Sequence, residues 1–210
     1  MASTGAYTSD VAFTDTVKRI QAERGSRKSY ARMEETRGGF AGSITPEIAA
    51  FIAEASSAYL ATANAAGQPY VQHRGGPPGF VKALDPKTLA FADFAGNRQY
   101  ITTGNLAEND RAFLFLMNYA EAERIKIWGR ARVVPADPEL TRTLVDPSYD
   151  ARIEQAIVFD VTAWDANCSQ HIPKLVDIEH VKHTVNVLGE RISYLEKTLR
   201  DAGVAFAEKT

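Results

Sequence analysis

The sequence predicts a mainly β protein of the α+β class: an antiparallel barrel of six strands with flanking helices and a separate C-terminal helix. Three observations carry this. Six short β-type segments follow one another with few helical segments between them, turn chemistry separates the segments, and the hydrophobic period changes to a heptad repeat near residue 178. A doubly wound parallel sheet would instead need a helix after nearly every strand. At 210 residues, with 45% hydrophobic and 24% charged residues, the chain has the apolar content for one sizeable core with appendages.

Residues 1–44 read as an N-terminal helix and arm. The first dozen residues are small and polar and are expected to be poorly ordered. Thr14 is suited to cap a short helix over 14–24 that Gly25 closes, and 26–43 reads as a long arm. Lys18, Arg19, Arg24, Arg27, Lys28, Arg32 and Arg37 outnumber Glu23, Glu34 and Glu35 here, which fits a solvated face or docking onto a partner or ligand. The formal net charge of −2 gives the whole chain no basis for binding nucleic acid.

The barrel is assigned to 45–175. Thr45 as N-cap and Pro46 at the first helical position start a helix whose Ile48, Phe51 and Ile52 share a face that a sheet must cover. Strands are expected at 59–63, 70–72, 88–94, 112–118, 124–134 and 156–164. Turns near Gly67, at Asp85-Pro86 and at Asp137-Pro138 separate them, and the last also opens a short helix over 139–145. Residues 100–106 read as another helix start.

Over 176–210 the character changes. Ile178, Val181, Val185, Leu188, Ile192, Leu195 and Leu199 are spaced alternately by three and four, an a/d repeat of about three heptads. So narrow a seam fits helix-to-helix contact better than a helix lying on a globular core. Packing against its own barrel is the alternative, because Gly189 weakens an isolated helix.

The chemistry concentrates in two stretches. Residues 69–80 form an apolar-alternating strand running into His73, Arg74 and the glycines Gly75, Gly76 and Gly79. Residues 89–100 are a run of aromatics ending in Gly96, Asn97, Arg98 and Gln99, just before a helix start. Two arginines, two amide side chains and nearby helix N–H groups suit a phosphate dianion, because guanidinium is always charged and grips phosphate oxygens in pairs. The glycine spacing is not a dinucleotide fingerprint, since Pro77 and Pro78 stop a helix and no βαβ unit surrounds it. Two readings stay open: a simple hairpin loop, or glycines whose missing Cβ lets backbone approach a flat ring.

The single cysteine, Cys168, excludes an intrachain disulfide and suits a reducing compartment. No apolar run of about 18 residues and no signal-peptide pattern is present, so a cytoplasmic protein is expected. Cys168 and His171 supply two metal ligands with no second pair nearby, which argues against zinc. Lys174 is a weaker cation candidate.

The order strand, basic turn, aromatic strand, Gly96-Asn97-Arg98-Gln99 resembles the flavin-binding half of the pyridoxamine 5′-phosphate oxidase-like family, where a Gly-Ser-Arg-Lys element holds the phosphate of flavin mononucleotide (FMN). The resemblance extends through Glu-Arg-Ile-Lys-Ile-Trp-Gly-Arg-Ala-Arg-Val-Val at 123–134 to Trp164, covering roughly 45–175. Gln-His-Arg-Gly-Gly-Pro-Pro-Gly at 72–79 together with Asn-Cys-Ser-Gln-His-Ile-Pro at 167–173 is similar to a branch described as flavin-nucleotide-binding proteins. What this implies is an FMN-binding split β-barrel, a homodimer that shares flavin across the subunit interface, and oxidoreductase activity with a small-molecule substrate or an electron donor such as NAD(P)H. The implied cofactor contacts are His73, Arg74, Gly75, Gly76, Asn97, Arg98, Gln99, Arg124, Trp164, Gln170 and His171.

Departures from the family pattern matter. Asn97 stands where serine is usual and Gln99 where lysine is frequent, which shifts the phosphate grip toward Arg98 and Arg74. Arg124 stands where many relatives carry glutamine near the ring, Trp164 has plain core as its alternative role, and Gln170 with His171 would close over the ring or a substrate. Residues 164–173 lack the Arg-x-His element of vitamin B6 oxidases, so that activity is not expected. The rival readings are a non-enzymatic flavin-binding or redox-sensing module, and the same barrel holding haem or a deazaflavin.

Overall fold

Alternating apolar residues build strands β1 (Ser57–Ala63), β2 (Pro69–Gly75), β3 (Lys82–Asp85), β4 (Thr88–Phe94), β5 (Arg111–Asn118), β6 (Glu123–Pro135) and β7 (Ile153–Asn167). The protein is represented by a computed structural model that describes residues 7–167, 170–176 and 178–204. Its seven strands form one antiparallel sheet in the order β2-β1-β5-β6-β7-β4-β3, the α+β split β-barrel that the sequence predicts. The expected count was six. The added strand, β3, is a short edge strand, mostly exposed, and it lacks the apolar alternation by which the others are recognised.

Register follows the side-chain period of two. On β1 and β5, Ala58, Leu60, Ala112, Leu114 and Leu116 are buried, while Tyr59, Ala61, Phe113 and Phe115 turn to the other face. Leu60 pairs opposite Leu114, and Ile125, Ile127, Ile157, Phe159, Leu89 and Phe91 continue the core across β6, β7 and β4. Each such side chain contributes about 1.5–3 kcal/mol when fully buried. β4 and β7 also bury Ala90, Ala92, Ala156 and Val158 on their second face, against Leu140 and Leu144 of α5 (Pro138–Leu144).

The helices follow their caps. Thr14 accepts from the Val17 N–H to start α1 (Asp15–Glu23), and Thr45 accepts from the Ile48 N–H to start α3 (Pro46–Glu54), whose Ile52 enters the core. Asp137 caps α5 by accepting from the Glu139 and Leu140 N–H groups at 2.9 Å each. α4 (Ile101–Glu108) buries Leu106 and Asn105.

The segment expected as an arm is instead helical over α2 (Arg27–Arg37). Polar contacts rather than an apolar stripe hold it. Glu34 is 1% exposed, ion-paired with Arg27 and accepting from Ser9 Oγ at 3.1 Å. Ser9 lies in a 3₁₀ turn, Thr8–Val11, so the described part of the first dozen residues is folded onto α2. Phe40 then stacks on Trp128 with ring centroids 5.3 Å apart.

The chain divides into two compact units, Met1–Asn118 with Glu123–Gln170, and Tyr119–Ala122 with His171–Thr210. The second contains α6 (Ile178–Asp201). Among the described residues no helix is long and apolar enough to cross a membrane.

Two glycines predict opposite outcomes. At the β6/β7 irregularity, a Cβ on Gly129 would lie 2.2 Å from the Asp160 carbonyl oxygen and 2.4 Å from Phe159, whereas one on Gly104 inside α4 would meet nothing within 4 Å. Gly129→Ala is expected to cost about 1–3 kcal/mol by overpacking. Gly104→Ala is expected to add up to about 1 kcal/mol of helix stability. Thermal unfolding of both variants reads the two signs.

Candidate functional site

Four strands separate β2 from β4 in hydrogen-bonding order, yet Arg74 of β2 forms an ion pair with Asp93 of β4. The sheet therefore curls until its first strand reaches its sixth. Arg74 and Asp93 keep side-chain exposures of only 17% and 12%, so the pair is largely desolvated. The second terminal nitrogen of Arg74 donates to Thr102 Oγ1 at 3.0 Å, at the start of α4. Gln155 Nε2 of β7 donates to the other Asp93 oxygen and to Thr103 Oγ1, each at 2.9 Å. Deeper in α4, Asn105 Nδ2 donates to the buried Thr62 Oγ1 at 3.0 Å and fixes the helix against β1.

These contacts bound an open cavity of about 300 Å³. Its wall includes the loop between β4 and α4, where Arg98 (φ 60°) and Tyr100 (φ 54°) both adopt the left-handed conformation. Two non-glycine residues held there are strained, and such strain clusters at functional sites. Asn97 Oδ1 accepts from the Gln99 N–H at 3.2 Å and closes the turn. No side chain caps the first turn of α4. Its first N–H groups and the positive end of its dipole thus face the loop that carries Arg98.

Across the opening, Tyr100 Oη donates to Glu154 Oε1 at 2.7 Å. That hydrogen bond holds the phenol above its ordinary pKa, with desolvation and the carboxylate's charge acting in the same direction. The wall is formally balanced: Arg74 and Arg98 against Asp93 and Glu154. Arg74 is compensated internally. Arg98 is the exposed cation of the pair.

Of the sequence-predicted residues, His73, Arg74, Gly75, Asn97, Arg98 and Gln99 line this cavity. His73 contributes differently from Arg74, because neighbours on a strand face opposite ways. Its Nε2 lies 2.9 Å from Ser57 Oγ, and its ring meets Tyr59 edge-on. Gly76 is outside the lining, and its missing Cβ makes room for Phe80, whose Cβ would otherwise lie 2.6 Å away. Gly76 lies in the connection from β2 to β3, the two edge strands of the sheet, which do not pair with each other, so this segment is not the hairpin loop that was one of its two readings.

Arg124, Trp164 and Gln170 are also outside the lining. Arg124 opens β6 opposite Met117, and Gln170 sits in an exposed turn. Trp164 packs on the core and donates from Nε1 to the Ser43 carbonyl at 2.7 Å. His171 is exposed, has φ 63°, and belongs to the second unit. Cys168 lies outside the described residues. Among the described residues no cluster of three potential metal ligands occurs.

Sequence reasoning missed Asp93, Tyr100, Thr102, Thr103, Glu154 and Gln155. Asp93 carried a signal, as the one charge inside the apolar run 89–94. The adjacent threonines after Arg98 carried a weaker one. Glu154 and Gln155 carried none, since only strand pairing brings them here.

Residues 44–169, more than half of the chain, match the family described as pyridoxamine 5′-phosphate oxidase. The chain belongs to this family. A comparison with curated proteins returned no match. Among solved structures, it is similar to HupZ from Group A Streptococcus (15% identity, 63% of this chain and 99% of that one, TM-score 0.46). It is similar too to a putative pyridoxamine 5′-phosphate oxidase from Lactobacillus delbrueckii (18%, 60% and 95%, 0.45) and an FMN-binding protein from Syntrophomonas wolfei (12%, 75% and 98%, 0.44). These scores are low, and the family membership rests on the sequence match.

Asp93→Ala would leave the Arg74 guanidinium largely buried without its counter-charge. Breaking a buried pair costs about 3–5 kcal/mol, and the residual exposure puts this case near the lower end. Urea unfolding measures the loss, and Asp93→Asn is expected to lose less because the amide still accepts hydrogen bonds.

Proposed function

We propose that the chain is an FMN-binding flavoprotein that works as a homodimer, and that it serves as an oxidoreductase drawing electrons from a donor such as NAD(P)H. The observation that carries this reading is Arg98, presented on a left-handed turn directly before an uncapped helix, within the segment that matches the family. Such a start binds phosphate through N–H groups and the helix dipole.

The residues present fit the cofactor. Arg74 Nε is buried without a hydrogen-bond partner, a donor left for a ligand. Arg98 would grip the phosphate, the first-turn N–H groups of α4 and the hydroxyls of Thr102 and Thr103 would share its oxygens, and Glu154 would accept from a hydroxyl of the ribityl chain. Arg74 acts chiefly by positioning Thr102. The cavity, at the lower end of small-molecule sites, has room for the phosphate end of FMN rather than all of it. When bound, FMN supplies the redox chemistry, and the protein contributes binding, orientation and electrostatics.

Dimerisation is supported by the outer sheet face. Val71 is exposed, and Tyr59, Phe113, Phe115 and Met117 are half-buried beside it on β1 and β5, at the β2 edge of the sheet. An apolar face beside an open edge is the kind of surface that association covers.

The absorption spectrum of the purified protein is the first test: flavin bands are expected, and a haem Soret band would overturn the cofactor. Reduction by NADH or NADPH followed by turnover separates an oxidoreductase from a binding module. In Arg98→Ala, FMN is expected to bind at least about tenfold more weakly, since a charge-assisted hydrogen bond contributes about 1.5–3 kcal/mol. Riboflavin, which lacks the phosphate, should be nearly unaffected. Calorimetric titration of both ligands checks the difference, and equal losses would move Arg98 away from the phosphate.

A further inference from the structure

We infer that α6 pairs with the α6 of a second copy as a parallel, in-register, two-stranded coiled coil. The inference extends the homodimer proposed above to a second contact, and its test separates the two.

The helix is 24 residues, about 36 Å at 1.5 Å per residue, and none of its described residues is buried. Ile178, Val185, Ile192 and Leu199 occupy the a positions, and Val181, Leu188 and Leu195 the d positions. From Ile178 to Leu195 the exposure along this seam lies between 38% at Val181 and 62% at Ile178, with Val185, Leu188 and Ile192 each above half, and Leu199 at its end is half-buried. A continuous row of that kind is a face awaiting cover rather than scattered surface leucines. It contrasts with the opposite face, the b and f positions, where Glu179, His183, Asn186, Glu190, Ser193 and Lys197 are polar.

The identity of the seam residues selects the occupant. β-Branched residues at a with leucine at d favour two parallel strands, and here three of the four a residues are Ile or Val while Leu188 and Leu195 hold d. The charges agree. In a parallel pair each g residue faces the e′ residue five positions on, which sets Arg191 against Glu196 of the second copy, twice by symmetry. Reversing one helix instead centres the seam near residue 190 and brings Arg191 against Arg191. Lys182, the cation that a reversed pair would offer to Glu196, is already paired with Glu179 of its own helix at 2.6 Å. Gly189 sits at an e position, off the seam, where a missing side chain opens no gap in the a/d packing.

The test uses the full-length chain carrying Cys168→Ser, so that one introduced thiol reports. With Val181→Cys at a d position, a parallel in-register pair places the two thiols side by side, and mild oxidation at micromolar concentration is expected to yield a disulfide-linked dimer. A reversed pair would hold them about 27 Å apart. A mixture of Val181→Cys and Leu199→Cys chains that cross-links only between the two kinds would overturn the parallel arrangement. Absence of any cross-link overturns the pairing itself, and sedimentation of the same sample then shows whether the homodimer survives without it. Adding Glu196→Arg, which turns both interhelical attractions into repulsions, is expected to reduce the cross-linked fraction about two- to fivefold at low salt. Arg191→Glu together with Glu196→Arg should restore it. A yield indifferent to both changes would remove the charge pair from the proposed register.

Discussion

The contact on which the site depends is the ion pair between Arg74 and Asp93. It is a side-chain bond across a seam that backbone pairing leaves open, because β2 and β4 are not ladder neighbours. A largely desolvated pair stabilises only when its remaining polar atoms are also engaged. Thr102 takes one Arg74 donor and Gln155 serves the second Asp93 oxygen, so the pair ties together β2, β4, β7 and the start of α4. What remains over is one buried nitrogen, Arg74 Nε, which has no hydrogen-bond partner in this network.

The same ion pair sets the electrostatics of the cavity. Two arginines in a pocket suggest a positive well, but Asp93 cancels one and Glu154 offsets the other. The field that remains is local and directional: one exposed guanidinium on a strained turn and the uncapped start of a helix. Fixed dipoles of that kind discriminate by position. On the proposed reading, a ligand with hydroxyls next to its phosphate would find an acceptor in Glu154, whereas a second phosphate at the same place would meet a carboxylate.

The N-terminal segment shows a different balance of forces. α2 has almost no apolar stripe and is held by the buried Glu34, by Arg27 and by the Ser9 hydroxyl. Beyond it, Phe13, Phe40 and Trp128 form a chain of ring contacts onto the sheet, and Trp164 holds the Ser43 carbonyl. Trp164 therefore joins the segment before α3 to β7. Within one chain the contacts of this tryptophan are with the core and with the Ser43 carbonyl.

Local chemistry alone determined a good part of this protein. Thr14, Thr45 with Pro46, and Asp137 with Pro138 marked helix starts correctly, because a cap is a contact over two or three residues. Six strands were visible because burying one face imposes alternation, and the Gly96–Gln99 turn with Arg98 was visible because a basic residue before a helix start is a short-range arrangement. The tertiary structure decided everything that depends on curling the sheet. Asp93 and Gln155 enter the cavity through pairings made across long stretches of sequence. His73 turns away from Arg74 because register assigns neighbours to opposite faces, and Gly76 is explained only once Phe80 has packed beside it. β3 and α2 escaped notice for the same reason: an exposed edge and an ion-paired helix carry no hydrophobic period, and only their partners in space make them regular.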